Sequence, residues 1–193
     1  MMKKVVEFEL KNQEKVKIIF RYIKKSDVVG VWNNFNSVLV EGTFLPVLTP
    51  VETEWEKKAW FDNLKKENEM CIVAENPDLK SPEHIVGQCE LSNLQWEAAT
   101  HVFNLGIIVK KEYRDLGIGR NLIDIAIRDA KMEYNKEKII LSCFSSNKRG
   151  LHLYESMGFK KIGIRKKQFY MNSVYYDEVL YDIFLDDYLK ENE

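Results

Sequence analysis

The chain has 193 residues, 45% hydrophobic and 31% charged, with a formal net charge of −1. That length and balance predict one globular domain, 1–193, and give no electrostatic reason to expect a nucleic-acid partner or an anionic membrane surface. No apolar run approaches the roughly 20 residues of a membrane span, and "MMKKVVEFELKN" lacks the apolar centre of a secretion signal. The scattered Cys71, Cys89 and Cys143 form no C-x-x-C pair and His84, His101 and His152 no ligand spacing, so a reducing cytoplasmic setting without metal is expected.

In chain order, "VVEFEL" and "VKIIFRYI", joined by polar "KNQEK", predict a β-hairpin within residues 1–24. Ser26-Asp27 reads as a helix start, followed by Val28, Val31, Trp32 and Phe35 at helical spacing. "TPVE" predicts the entry of a second helix, with Thr49 as N-cap, Pro50 at the first helical position and Glu52 closing a capping box. Trp55, Ala59, Trp60 and Leu64 would form its apolar stripe. Strands are expected in "MCIVAE", "HIVGQCELSNLQ" and "THVFNLGIIVKK", the last interrupted by Gly106, a predicted bulge or close backbone approach. A helix from about Ile118 to Tyr134, the strand "KIILSCF" and a short helix from about Asn147 to Gly158 follow. The chain closes on a hairpin of "FKKIGIRKKQFYM" and "VYYDEVLYDIFL". This is a mixed α/β layout around one sheet.

The chemistry concentrates in "EYRDLGIGRNLI", Glu112 to Ile123. A helix start carries partial positive charge and four orphan amides, and so favours acidic residues in its first turn. Here the first turn offers Gly119, Arg120, Asn121 and Leu122, and Arg120 opposes the dipole unless an anion is shared. Gly117 and Gly119 allow a sharp turn and a close approach to a ligand. These features describe a phosphate cradle of backbone amides with arginine beside it. A turn whose glycines serve geometry alone fits the same residues. A P-loop is excluded because Arg120-Asn121 stands where Lys-Ser/Thr is needed, and a dinucleotide turn because Leu122 replaces its third glycine.

The flanking sequence separates these readings. "IIVKKEYRDLGIGRNLI" followed by "NKRGLHLYESMGF" resembles the GNAT superfamily, the GCN5-related N-acetyltransferases, with an ending similar to its RimJ/RimL-like and small-amine or amino-acid branches. Arg114, Gly117 and Gly119 match the family's R/Q-x-x-G-x-G/A signature, and Asn147, Leu153, Tyr154, Gly158 and Phe159 match its N-x-x-x-x-x-L-Y-x-x-x-G-F signature. The likeness covers roughly Ile85 to Leu185 as an acetyl-CoA-binding core, and more loosely the chain from Ile18. It implies a single central, mostly antiparallel twisted sheet of about seven strands flanked by helices. It also implies acetyl-CoA as cosubstrate: Ile107, Ile108 and Val109 would pair with its pantetheine amides. The amides of Asp115, Leu116, Gly117, Ile118, Gly119 and Arg120 would hold the pyrophosphate, with Arg114 in the same signature. Asn147 would contact the CoA arm, Tyr154 would protonate the leaving thiolate, and Lys148 and Arg149 stand where a cation meets the 3′-phosphate.

Some departures from the family pattern matter. Gly150 replaces a usual alanine, weakening its helix by up to about 1 kcal/mol. Relatives place a glutamate base where this chain has Ser142 or Phe103. Deprotonating a lysine ε-amine at pH 7 costs roughly 4–5 kcal/mol and an α-amine only about 1 kcal/mol, so a weak base favours a low-pKa amine. Glu90, Glu97 and His101 are the alternatives for a water-relayed base, with His101 taken as the candidate. Trp32, Phe35, Trp55, Trp60, Tyr175 and Tyr176 are candidate pocket walls, and Asp177 or Glu178 a candidate attraction for the amine. The expected acceptor is a small-molecule or peptide primary amine; a homodimer is left open. The competing functions are a CoA-binding regulatory module without catalysis and an interaction domain with fortuitous glycines.

Overall fold

The computed structural model describes residues 3–192, so Met1, Met2 and Glu193 of the expected 1–193 domain lie outside the described residues. The opening hairpin is β1 (Lys3–Glu9) and β2 (Lys15–Tyr22), closed by Leu10 N–H donating to the Glu14 carbonyl at 2.8 Å. β2 alternates over its first six residues, turning Val16, Ile18 and Phe20 inward. Two helices follow, α1 (Val28–Leu39) and α2 (Glu54–Lys66). The second enters at Thr53, four residues beyond the expected Thr49. Thr53 Oγ1 accepts from Glu56 N–H at 3.2 Å, and the Glu56 carboxylate accepts from Thr53 N–H at 3.3 Å. The Thr49 reading fails because Val51 is already committed: its amide and carbonyl pair with the Asn36 side chain at 3.1 and 2.9 Å. "TEWE" satisfies the same capping rule as "TPVE", and the free one is used.

The remaining elements are β3 (Met70–Glu75), β4 (Ile85–Asn93), β5 (Val102–Val109), α3 (Ile118–Met132), β6 (Lys138–Phe144), α4 (Lys148–Ser156), β7 (Lys160–Met171), β8 (Val174–Phe184) and α5 (Leu185–Glu191). The strands form one sheet in the order β1-β2-β3-β4-β5-β6-β8-β7, eight strands rather than about seven. Every pairing is antiparallel except β5 with β6. α3 presses Leu122, Ile123 and Ala126 into the main core with Ile72, Leu91 and Phe103. On the sheet's other face a smaller cluster joins Val31 of α1 and Leu64 of α2 to Val73 and Ile85.

α5 was not anticipated. "LDDYLKE" follows β8 without a glycine or proline to mark the change, and only Leu185 and Tyr188 are buried, too few to show a period. It docks through Tyr188 Oη donating to Asp124 at 2.9 Å and a Lys131–Asp186 ion pair at 2.8 Å.

The feature that positions the site is where β5 and β6 part. They pair only from Val102–Lys138 through Phe103–Ile139 to Asn104–Ile140. Beyond that β5 stays zipped to β4 and β6 to β8, leaving a wedge between them. The predicted bulge at Gly106 is absent: its register with β4 runs unbroken from Asn93–Phe103 to Gly87–Val109. The free edge of Ile107–Val109 comes instead from the departure of β6. A Cβ on Gly106 would meet no atom within 4 Å, so this position opens onto space.

Candidate active site

The wedge holds a cleft of about 370 Å³. Its floor is the edge of Ile107, Ile108 and Val109, which pairs with β4 on one side and with no strand on the other. Its head is the turn into α3. Asp115 and Gly117 adopt left-handed backbone, φ +67° and +88°, folding the chain so that the helix starts facing the cleft. Gly117 is the N-cap, no side chain caps it, and the first turn carries no acid. Asn121 N–H makes the first intrahelical bond, to the Gly117 carbonyl at 3.1 Å. The amides of Gly117, Ile118, Gly119 and Arg120 therefore remain as donors. Leu116 and Ile118 contribute backbone only, since their side chains pack on the core.

The arginines of the turn have protein partners. Arg114 Nε donates to the Val109 carbonyl at 2.9 Å, its Nη1 to Glu41 at 2.8 Å, and Phe44 stacks on the guanidinium at 4.8 Å. Arg120 Nη2 donates to Ser156 Oγ at 2.6 Å, reaching across to α4. The turn thus presents its amides and the helix dipole to the cleft, and the guanidinium groups brace it.

α4 supplies the other wall. Asn147 caps it, accepting from Gly150 N–H at 3.0 Å. Asn147 and Tyr154 both line the cleft, as their seven-residue spacing implies. Gly158, at φ +87°, ends the turn that follows. The Tyr154 ring is 7% exposed, wedged edge-on against Phe159 and tilted on Tyr181 with centroids 6.0 and 5.9 Å away. Burial pushes its phenol well above the usual tyrosine range, so it stays protonated near neutrality. Arg149 bridges the two motifs, meeting the Asp115 carboxylate at 2.8 and 3.0 Å. Cys143 also lines the cleft, but burial pushes its thiol up to about 11, leaving little thiolate near neutrality.

A second cavity of about 260 Å³ lies on the α1/α2 face and meets the first over Gly106, Ile107 and Ile108. The alternation of β4 makes it: Cys89 and Leu91 enter the core under α3, so Gln88, Glu90 and Ser92 face the opposite way. Glu90 stands directly across the ladder from Gly106. Its carboxylate accepts from Trp60 Nε1 at 3.2 Å. Burial, helped by nearby Glu69 and opposed by the Trp60 hydrogen bond, raises it from 4.5 to about 7.

Several sequence candidates are not brought to either cavity. His101 is exposed at the opposite end of β5, its carbonyl holding the amides of Glu137 and Lys138. Glu97 is exposed in a short 3-10 turn. Trp55 is 77% exposed, and Tyr175 lies exposed at the tip of the last hairpin. Asp177 and Glu178 pair with Lys166 at 2.8 Å and Arg165 at 2.9 Å. Trp32, Phe35 and Trp60 do line the second cavity. Of the two usual base positions, Ser142 lines the cleft and Phe103 is fully buried. Phe44, Leu45 and Pro46, from the α1–α2 connection, also line the cleft; their signal was an apolar "FLPVL" between the two predicted helices. Among the described residues no helix is long and apolar enough to cross a membrane.

Comparison with known proteins fits this geometry. A family model described as "Acetyltransferase (GNAT) family" matches residues 37–159. An N-alpha-acetyltransferase of Saccharolobus solfataricus is 35% identical over 66 residues, 34% of this chain and 38% of that protein. A spermidine N(1)-acetyltransferase of Vibrio cholerae is 29% identical over 111 residues, 58% of this chain and 63% of that protein. The chain thus spans less than two thirds of the length of either relative. The structure of yncA from Salmonella typhimurium, a putative acetyltransferase solved with acetyl-CoA, superposes with a TM-score of 0.78 at 16% identity, covering 88% of this chain and 95% of that one. The family model takes in more than half of the sequence, from within α1 to the end of the second motif, and the chain belongs to the GNAT acetyltransferase family.

Proposed function

We propose that this protein transfers the acetyl group of acetyl-CoA to a primary amine by direct attack, with Glu90 accepting the amine proton and Tyr154 protonating the departing thiolate. The observation that carries it is the meeting of two cavities over Gly106–Ile108, one headed by orphan amides and the other carrying a carboxyl. The chain's residues fit acetyl-CoA. The free edge of Ile107–Val109 offers an extended arm a strand to pair with. The helix start offers four amides to a pyrophosphate. Acetyl-CoA supplies the activated acyl group; the protein supplies position and proton transfer.

In balance, the bound ammonium gives one proton to Glu90, and the neutral amine nitrogen bonds to the acyl carbon as the carbon–sulfur bond breaks. The sulfur takes the Tyr154 proton, the second nitrogen proton restores the Tyr154 phenol, and Glu90 releases its proton to solvent. A carboxyl raised to about 7 is poised to accept a proton near neutrality. The nucleophile is the amine rather than an enzyme thiol, since Cys143 is held protonated and Cys71 and Cys89 are buried. Glu90 also answers the empty base positions at Ser142 and Phe103. Three free thiols suit a reducing cytoplasm. The test is thiol release from acetyl-CoA in the presence of primary amines. Amine-dependent release is expected, and binding of acetyl-CoA without release would favour the module.

A further inference from the structure

The second cavity names the kind of amine, an inference that rests on the acetyltransfer reading above. We infer that the acceptor is a small primary monoamine with an uncharged apolar tail about the size of one aromatic ring, rather than an amino acid, a polyamine or a protein N-terminus.

The wall chemistry carries this. Among the described residues lining the cavity, Glu90 is the one ionisable side chain; there is no lysine, arginine or histidine. An amino acid would bring its carboxylate into a space with no cation to pair with, beside a carboxyl of the same sign. Within the lining one carboxyl serves one ammonium; Glu69, the other carboxylate acting on Glu90, lies outside the lining and accepts from Asn93 N–H at 2.8 Å. The extra ammonium groups of a polyamine would meet indole and phenyl surface and three neutral side chains, Gln88, Ser92 and Asn104. Of these, Gln88 already accepts from Asn34 Nδ2 at 3.0 Å.

The shape of the wall points the same way. Trp32 packs edge-to-face on Phe35 and on Trp60, both with centroids 5.2 Å apart and planes at 68° and 75°. Rings locked in this manner turn faces and edges to each other, which suits an apolar tail better than a cage around a second cation. The volume of about 260 Å³ is below the roughly 300–1,000 Å³ of sites for drug-sized ligands. Leu45, from the α1–α2 connection, borders both cavities and adds apolar wall where they meet. With the ammonium at Glu90 beside Gly106, an arylalkylamine tail lies among Trp32, Phe35 and Trp60.

The experiment compares kcat/KM of the full chain, by thiol release from acetyl-CoA at pH 8, for phenethylamine, phenylalanine, spermidine and the peptide Phe-Ala-Ala amide. Phenethylamine should exceed phenylalanine by at least about 100-fold, because the two differ only by the unpaired carboxylate. It should exceed spermidine and the peptide by about tenfold or more. Ser92→Arg, which supplies the missing cation, should narrow the phenethylamine-to-phenylalanine ratio by about tenfold. Equal or better rates for phenylalanine, spermidine or the peptide overturn the acceptor assignment while leaving acetyltransfer standing. No turnover of any of the four, with acetyl-CoA still raising the melting temperature, overturns acetyltransfer as well.

Discussion

Replacing Glu90 by glutamine tests the division of labour in the site with little disturbance of its shape. The amide keeps an oxygen for Trp60 Nε1, which donates to Glu90 at 3.2 Å, and fills the same volume. What it removes is a proton acceptor poised near neutrality. With the carboxyl at about 7, about nine-tenths of it is ionised at pH 8 and only about one-tenth at pH 6. The wild-type kcat/KM should therefore climb through a limb centred near 7 before the amine's own ionisation shapes the profile. Burial sets this limb in the first place by raising it, the Trp60 N–H lowers it and Glu69 raises it further. The neighbouring Cys71 thiol, held well above its usual range by burial, stays neutral throughout. A positioned general base contributes about 10²–10⁴-fold, so Glu90→Gln should lose at least about 100-fold at pH 8. The limb near 7 should vanish, leaving a rate that follows amine deprotonation with unit slope. Thiol release measured from pH 5.5 to 9.5 reads both effects. A variant within threefold of wild type that keeps the limb near 7 would refute Glu90 as the base.

The same substitution carries a stability signature of definite sign. Because the folded carboxyl titrates above its ordinary value of 4.5, the fold keeps its proton where the unfolded chain has lost it. Stability from this group is present below about 4.5 and falls as pH rises to about 7. That interval corresponds to at most ~3 kcal/mol, which solvent at a half-buried site reduces to about 1–2 kcal/mol. Denaturant melts should find Glu90→Gln neutral at pH 4 and stabilised at pH 8. Tyr154→Phe should lower kcat by about 100-fold or more while calorimetry finds acetyl-CoA affinity within about twofold; equal loss of both would make the hydroxyl a binding group. Gly150→Ala should leave the melting temperature nearly unchanged despite a helix-propensity gain of about 1 kcal/mol. The new Cβ would stand 2.7 Å from Asn147 Nδ2 and dislodge the cap, a loss of similar size. A clear rise in melting temperature would show that the cap moves freely.

The fold was legible where the pattern is periodic and long. β2, α3 and the strand–helix–strand order around the glycine turn follow directly from apolar spacing. Two spaced motifs also placed the cleft, since Gly117, Asn147 and Tyr154 converge on it as their helical positions require. Three features escaped because they depend on partners distant in sequence. The second helix starts at Thr53 because Asn36 has taken the backbone of Val51. The free edge of β5 is made by the departure of β6, not by anything local to Gly106. Glu90 and His101 looked alike as acidic or basic residues near the same strands. Yet β4 alternation turns Glu90 into a cavity, while His101 sits at the exposed end of its neighbour. The period-2 pattern of "GQCELS" contained that distinction, but its value depended on knowing which face carries the cavity.

The most direct measurement is a product balance. The full chain is incubated with acetyl-CoA and a mixture of primary amines, and free thiol and N-acetylated amine are quantified together by absorbance and mass spectrometry. Acetyl transfer across the shared Gly106–Ile108 wall predicts equal amounts of the two, both abolished when the amines are left out. Acetyl-CoA that raises the melting temperature but yields no N-acetylated amine would contradict it and make the cleft a binding site without transfer.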